Sequence, residues 1–241
     1  KIAEGLIAKI PGSPPPTARI ATDMARAQLG YQTFDLPALV WVVNTLGSAQ
    51  RGKAADPDAL KLMSASYGWM GHWLNGFPTN HAKLFHARAL ALAALAGKLS
   101  GDASPELALA LAHAGRQADA LFVLAHSTPT GSETAAVADA LSRQDSTKAE
   151  AGAKGNRQWL WTLAFTSMYN ENEDEETSAY RELLKDPSDF PAIHMYFHQL
   201  RPEERAHLDG VIAGATEVGI SAAVLERINR QITRERPLSP S

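Results

Sequence analysis

The 241-residue chain contains no cysteine. A disulfide scaffold, a thiolate zinc site and a cysteine nucleophile are therefore excluded. Aromatic residues are only 7% of the chain, and Val and Ile are sparse beside 42 alanines. That balance disfavours sheet and favours helix, since Ala has the best helix propensity. Neither sign of charge dominates. Lys and Arg number 23 against 26 Asp and Glu, for a net charge of −3, and the pI is about 6.3. A protein that binds nucleic-acid backbone shows a basic face and a high pI, so nucleic acid is not expected as a partner. The longest apolar run, Ala89 to Ala96, falls far short of the roughly 20 residues that span a bilayer. Also missing are Gly-x-Ser-x-Gly, Gly-x-Gly-x-x-Gly, a Walker loop and His-Glu-x-x-His. Disorder is excluded in turn, because 45% of the residues are hydrophobic. The opening residues, Lys1 to Leu6, have neither an initiator Met nor the apolar core of a signal peptide. A trimmed or processed chain is compatible with this, and cytoplasmic and secreted locations both stay open.

What is present is helix punctuation. Residues 1–16 hold a short amphipathic piece and then Pro11, Pro14, Pro15 and Pro16, a stiff spacer that stops any helix. Thr17 caps an expected helix over about 18–29 that stops near Gly30. Asp35 caps the next, about 36–47, in which Leu36, Leu39, Val40, Val43 and Leu46 recur at helical spacing. Asp56-Pro57 pairs an N-cap acid with Pro at the first helical position and opens a helix to about Leu74. After Gly76, Phe77 and Pro78 comes one over about 80–96 that ends at Gly97. Ser104-Pro105-Glu106 opens another, Ala114-Gly115 closes it, and Arg116 begins its partner. Ser132 starts a helix over about 133–142. The polar stretch from Ser142 to Asn156, with Gly152 and Gly155, reads as a mobile connection. Further helices are expected over about 157–169, 175–185, 188–200, 202–215 and 219–232, with a frayed tail over 233–241. No convincing period-2 strand interrupts them. The expected fold is all-α: antiparallel helical hairpins over 17–232, with a soft division near 143–156, arranged as an α-solenoid or a compact multi-helix domain.

The stretch from Leu107 to Leu124, with alternating Leu and Ala, Gly115 at the turn, and Ala118, Ala120 and Leu121 beyond it, resembles a tetratricopeptide-type helical hairpin. Leu163 to Tyr169, Tyr180 to Leu184 and Pro187 look similar. Together the two stretches cover less than a third of the chain, and their separation is not a multiple of the family's roughly 34-residue period. The resemblance implies a concave face that binds a protein or peptide, not catalysis.

Four groupings carry candidate chemistry. His194 and His198 are four apart on an expected helix and project from one face, a spacing used by zinc sites; His207, Glu203 or Glu204 would supply a third ligand. The plain alternative is one histidine in the core and one in water. His72, His81 and His86 lie near Trp69, Trp73 and Phe85. They form either a packed aromatic corner or an aromatic-lined pocket with an imidazole as acid or base. Asn170 to Glu176 begins like a calcium loop, but Glu175 and Arg181 stand where that loop needs Gly and Glu, so a solvated turn is expected. Trp159 and Trp161 are two apart and point to different sides of a helix; beside Arg157 an exposed one would anchor a partner. Finally, Arg227, Arg230, Arg234 and Arg236 alternate with Glu226 and Glu235, which suits a helix C-terminus. The expected function is a non-enzymatic module that binds a protein or peptide in a groove between helices, without a cofactor. The alternative is a helical enzyme or a protein that binds a divalent metal such as zinc through one of the histidine groupings.

Overall fold

A computed structural model describes residues 16–51, 55–75, 81–101, 104–127, 131–185, 189–199 and 213. Among these residues every regular element is a helix. The chain divides into two compact units, Lys1–Arg143 and Gln144–Ser241. The first contains α1 (Pro16–Thr33), α2 (Leu36–Ala49), α3 (Pro57–Leu74), α4 (His81–Ser100), α5 (Pro105–His113), α6 (Gln117–His126) and α7 (Glu133–Arg143). The second contains α8 (Ser146–Gly152), α9 (Arg157–Tyr169), α10 (Glu173–Leu183) and α11 (Phe190–Gln199). None of the described helices is long and apolar enough to cross a membrane. Apart from residue 213, the segments expected over 202–215 and 219–232, the basic stretch from Arg227 to Arg236, the tail and residues 1–15 lie outside the described residues.

Local chemistry starts three of the helices where their caps were expected, whereas α1 already begins at Pro16, before the expected cap Thr17. Asp35 accepts from the Ala38 amide at 2.7 Å, Asp56 accepts from the Asp58 and Ala59 amides, and Ser104 accepts from Leu107. Each of these three helices also has Pro in its first two positions. The expected stops at two glycines do not hold. α1 runs through Gly30 to Thr33, because that glycine serves packing: a Cβ there would sit 3.1 Å from the Trp41 ring. α4 runs through Gly97 and ends at Gly101, whose φ of +80° is the left-handed geometry that closes helices. The connection expected at 142–156 contains α8, capped by Asp145 on Lys148 and burying only Ala149.

In the first unit, consecutive helices pack as pairs, and alternate helices are also neighbours: α1 with α3, α3 with α5, and α5 with α7. α3 and α4 run antiparallel, with Ser64 Oγ donating to the Ala89 carbonyl at 2.8 Å near their middles. Small residues line the crossings. Ala89, Ala93 and Ala96 of α4, Ala108 and Ala110 of α5, and Ala138 and Ala140 of α7 are all buried, which lets helix axes approach closely. Between α1 and α2 stands Phe34, with φ of +54°. It is buried, with its ring edge-on to Trp69 at 5.0 Å and to Trp73 at 5.6 Å. A left-handed conformation is unfavourable for such a bulky residue, so the aromatic contacts hold the turn. Phe34→Ala removes them and is expected to destabilise the protein by about 3–5 kcal/mol. Chemical denaturation followed by tryptophan fluorescence measures that loss.

Candidate functional site

The aromatic corner is real but differently composed. The C-terminal half of α3 buries Gly68, Trp69, Gly71, His72 and Trp73. His86 reaches it from α4 and His113 from the end of α5. His113 Nδ1 lies 2.8 Å from His72 Nδ1, and Trp69 packs edge-on to the His113 ring at 4.5 Å. The neighbouring rings occupy the space that side chains at the two glycines would need. A Cβ at Gly68 would come within 2.8 Å of His113 Cδ2, and one at Gly71 within 2.9 Å of His86 Cε1 and Nδ1. His81 is exposed at the start of α4 and is not brought in, while Phe85 stacks on Tyr67 at 5.6 Å. His113, which no spacing from His72 signals, takes the third place.

Burial sets the charge state of this corner. Desolvation, with His86 nearby, lowers the His72 pKa to about 3. Desolvation first, then His72 and His86, holds His113 well below the usual imidazole range, and burial lowers His86. The close pair is consistent: one neutral ring donates Nδ1–H to the other's lone pair, whereas two protonated rings would oppose two N–H groups at 2.8 Å. His113 Nε2 and His86 Nδ1 are buried without a hydrogen-bond partner among the described residues. Only 3% of His72 and 1% of Trp73 is exposed, and among the described residues the His72 ring packs against His113 and the Trp73 ring against Phe34.

The second unit places the other candidates. Trp159 and Trp161 are both buried, Trp161 completely. Trp161 stacks on Phe165 at 5.3 Å and meets Tyr180 edge-on, while Trp159 covers Gly152, where a Cβ would overlap the indole. The exposure that a surface anchor needs is absent from both indoles. Arg157 pairs with Asp189, which is buried and also caps α11 through the Ala192 amide. Asn172 caps α10, and Glu175 accepts from Ser167 and Asn172, so the acidic run is a helix start. His194 and His198 stand on α11, but their side chains lie outside the described residues, as do Glu203, Glu204 and His207. Among the described residues, no group of three His, Asp or Glu is placed to hold a metal ion.

An open groove lies at the opposite end of α3 from the histidines, about 16 Å away along the helix for eleven residues of rise. Its volume is about 520 Å³. Met24, Gln28 and Tyr31 line it from α1; Asp58, Lys61, Leu62 and Ala65 line it from α3. Both stripes follow the three- and four-residue spacing of a single helix face. Asp56, Glu106 and Thr134 add the starts of α3, α5 and α7. Neighbouring alternate helices thus build a surface that no one helix owns. The signal available in the sequence was the pair of stripes, but each alone looks like an ordinary amphipathic face.

The neutral histidines make stability depend on pH. Their folded pKa values lie below the ordinary 6.5, so the unfolded chain takes up protons first as pH falls. Their stabilisation is complete above about pH 6.5 and declines on the way down to about 3, the value reached by His72. In His72→Asn, which keeps a hydrogen-bonding group near Nδ1 but cannot titrate, the slope of stability between pH 4 and 6 should fall by about 1.4 kcal/mol per pH unit. Urea titrations across that range test it; an unchanged slope refutes it. No protein-family model, curated protein or solved structure matches this chain.

Proposed function

We propose that the first unit is a non-enzymatic binding module that receives a protein or peptide segment in the groove between α1, α3, α5 and α7. The observation that carries this reading is the groove's construction from successive alternate helices: a 520 Å³ recess, partly apolar, with charged groups at its edge. Binding sites of this size are concave, partly apolar and furnished with a few polar groups. The reading of the unit as a tetratricopeptide-like row of hairpins has the same support: neighbouring alternate helices, small residues at their crossings and a left-handed Gly115 in the α5–α6 turn. In such rows the recognition surface belongs to several hairpins at once.

Peptides selected on the full chain from a random twelve-residue display library provide the test. Gln28→Trp and Thr134→Trp place indoles at the groove from two different helices, and each should weaken selected peptides at least about tenfold, the loss of one good contact region. Lys83→Ala, on the exposed side of α4, should leave them unchanged. Peptides that bind both tryptophan variants as tightly as the parent would show that the groove is not where segments dock.

A further inference from the structure

We infer that the groove's partner is a peptide segment that carries Lys or Arg side chains beside apolar ones. The inference rests on the groove reading above and adds the chemistry of the occupant. Met24, Leu62 and Ala65 give the recess an apolar share, and an occupant without apolar side chains would leave it wet. The charged lining is unequal: Asp56, Asp58 and Glu106 bring carboxylates, and Lys61 brings the one ammonium among the lining residues.

Helix ends compensate some of that charge, because each N-terminus carries about half a positive charge. Asp56 is committed there, accepting from the Asp58 and Ala59 amides. Asp58 and Glu106 are different. The Asp58 side chain is 78% exposed, and Lys61 approaches only its Oδ1, at 3.4 Å. Glu106 is half-buried, and its side chain makes no hydrogen bond or ion pair among the described residues. Two carboxylates from two helices therefore border the same partly apolar recess, and cationic side chains on the occupant would meet them. An acidic segment would meet like charge at that edge, which costs affinity and slows encounter.

The display library also decides this point. Peptides selected on the full chain should be enriched in Lys and Arg over the starting pool. They should bind Asp58→Lys/Glu106→Lys at least about tenfold more weakly, as expected when charge complementarity is reversed. Raising salt should weaken the parent complex as well, since edge charges are screened. Asp58→Asn/Glu106→Gln, which only neutralises, should lose a smaller part of the affinity and gives a second readout should the reversed variant fold poorly. A selected pool without basic enrichment, or equal binding to parent and neutralised variant, would overturn the inference. The groove reading survives that outcome if Gln28→Trp still blocks the peptides; if it does not, both fall.

Discussion

α3 can accept neighbours on several sides because its surface is bare where they arrive. Gly68 and Gly71 leave space that the imidazoles of His113 and His86 fill at contact distance. Neither ring is free to retreat: His113 is bonded to His72 and flanked by Trp69, and His86 lies within reach of Asn75, 3.4 Å from its Nε2. An added methyl at either glycine would therefore push on a fixed obstacle, the situation in which overpacking is costly. The positions of α4 and α5 against α3 follow from these two missing side chains, and the neighbours α1 and α7 build on that frame.

The same corner shows the cost of building with polar rings. A buried histidine packs like an aromatic but has two nitrogens to satisfy. Here the His72–His113 contact satisfies one on each ring, while His113 Nε2 and His86 Nδ1 find no partner among the described residues. Each such atom gives back about 1–3 kcal/mol of desolvation. What offsets it is ring contact: Phe34, Trp69 and Trp73 interlock with T-shaped and tilted geometries, and aromatic pairs contribute about 0.5–1.5 kcal/mol beyond the area they bury. The corner is stable while its imidazoles are neutral, which ties the first unit's packing to pH in a way that a leucine core would not.

How much of this could be read beforehand depended on the range of each interaction. Asp35, Asp56 and Ser104 cap within three residues of themselves, so their helices were legible in one dimension. Gly30 and Gly97 were not, because a glycine inside a helix can serve a neighbour instead of ending the turn, and only the Trp41 ring explains the first. α8 carries no apolar period and buries a single alanine, which left nothing for pattern to detect. Trp159 and Trp161 do point to different sides, but every residue from Gln158 to Ser167 of α9 is buried, so neither side faces water. His113 sits 41 positions from His72 in a run that reads only as alternating Leu and Ala. The groove was hidden for a related reason: its acids sit in first turns, where they look like dipole partners, and its two stripes belong to different helices.

In the proposed reading, those first-turn acids serve both stability and recognition. A carboxylate at a helix start stabilises the helix whether or not anything docks, so the chain can keep Asp58 and Glu106 at a solvent-facing edge without a folded-state penalty. The opposite end of α3 does the reverse: it is dry, neutral and locked by rings, and holds the helix in place. A surface that binds needs both conditions. Its edge groups must remain incompletely satisfied, and their positions must be fixed before the partner arrives, because ordering them at that moment would cost affinity. In the proposed reading, α3 meets both conditions at once: it is packed along its length, at Ala59, Leu60 and Met63 as well as at Trp69 and Trp73, while its first turn keeps Asp58 exposed.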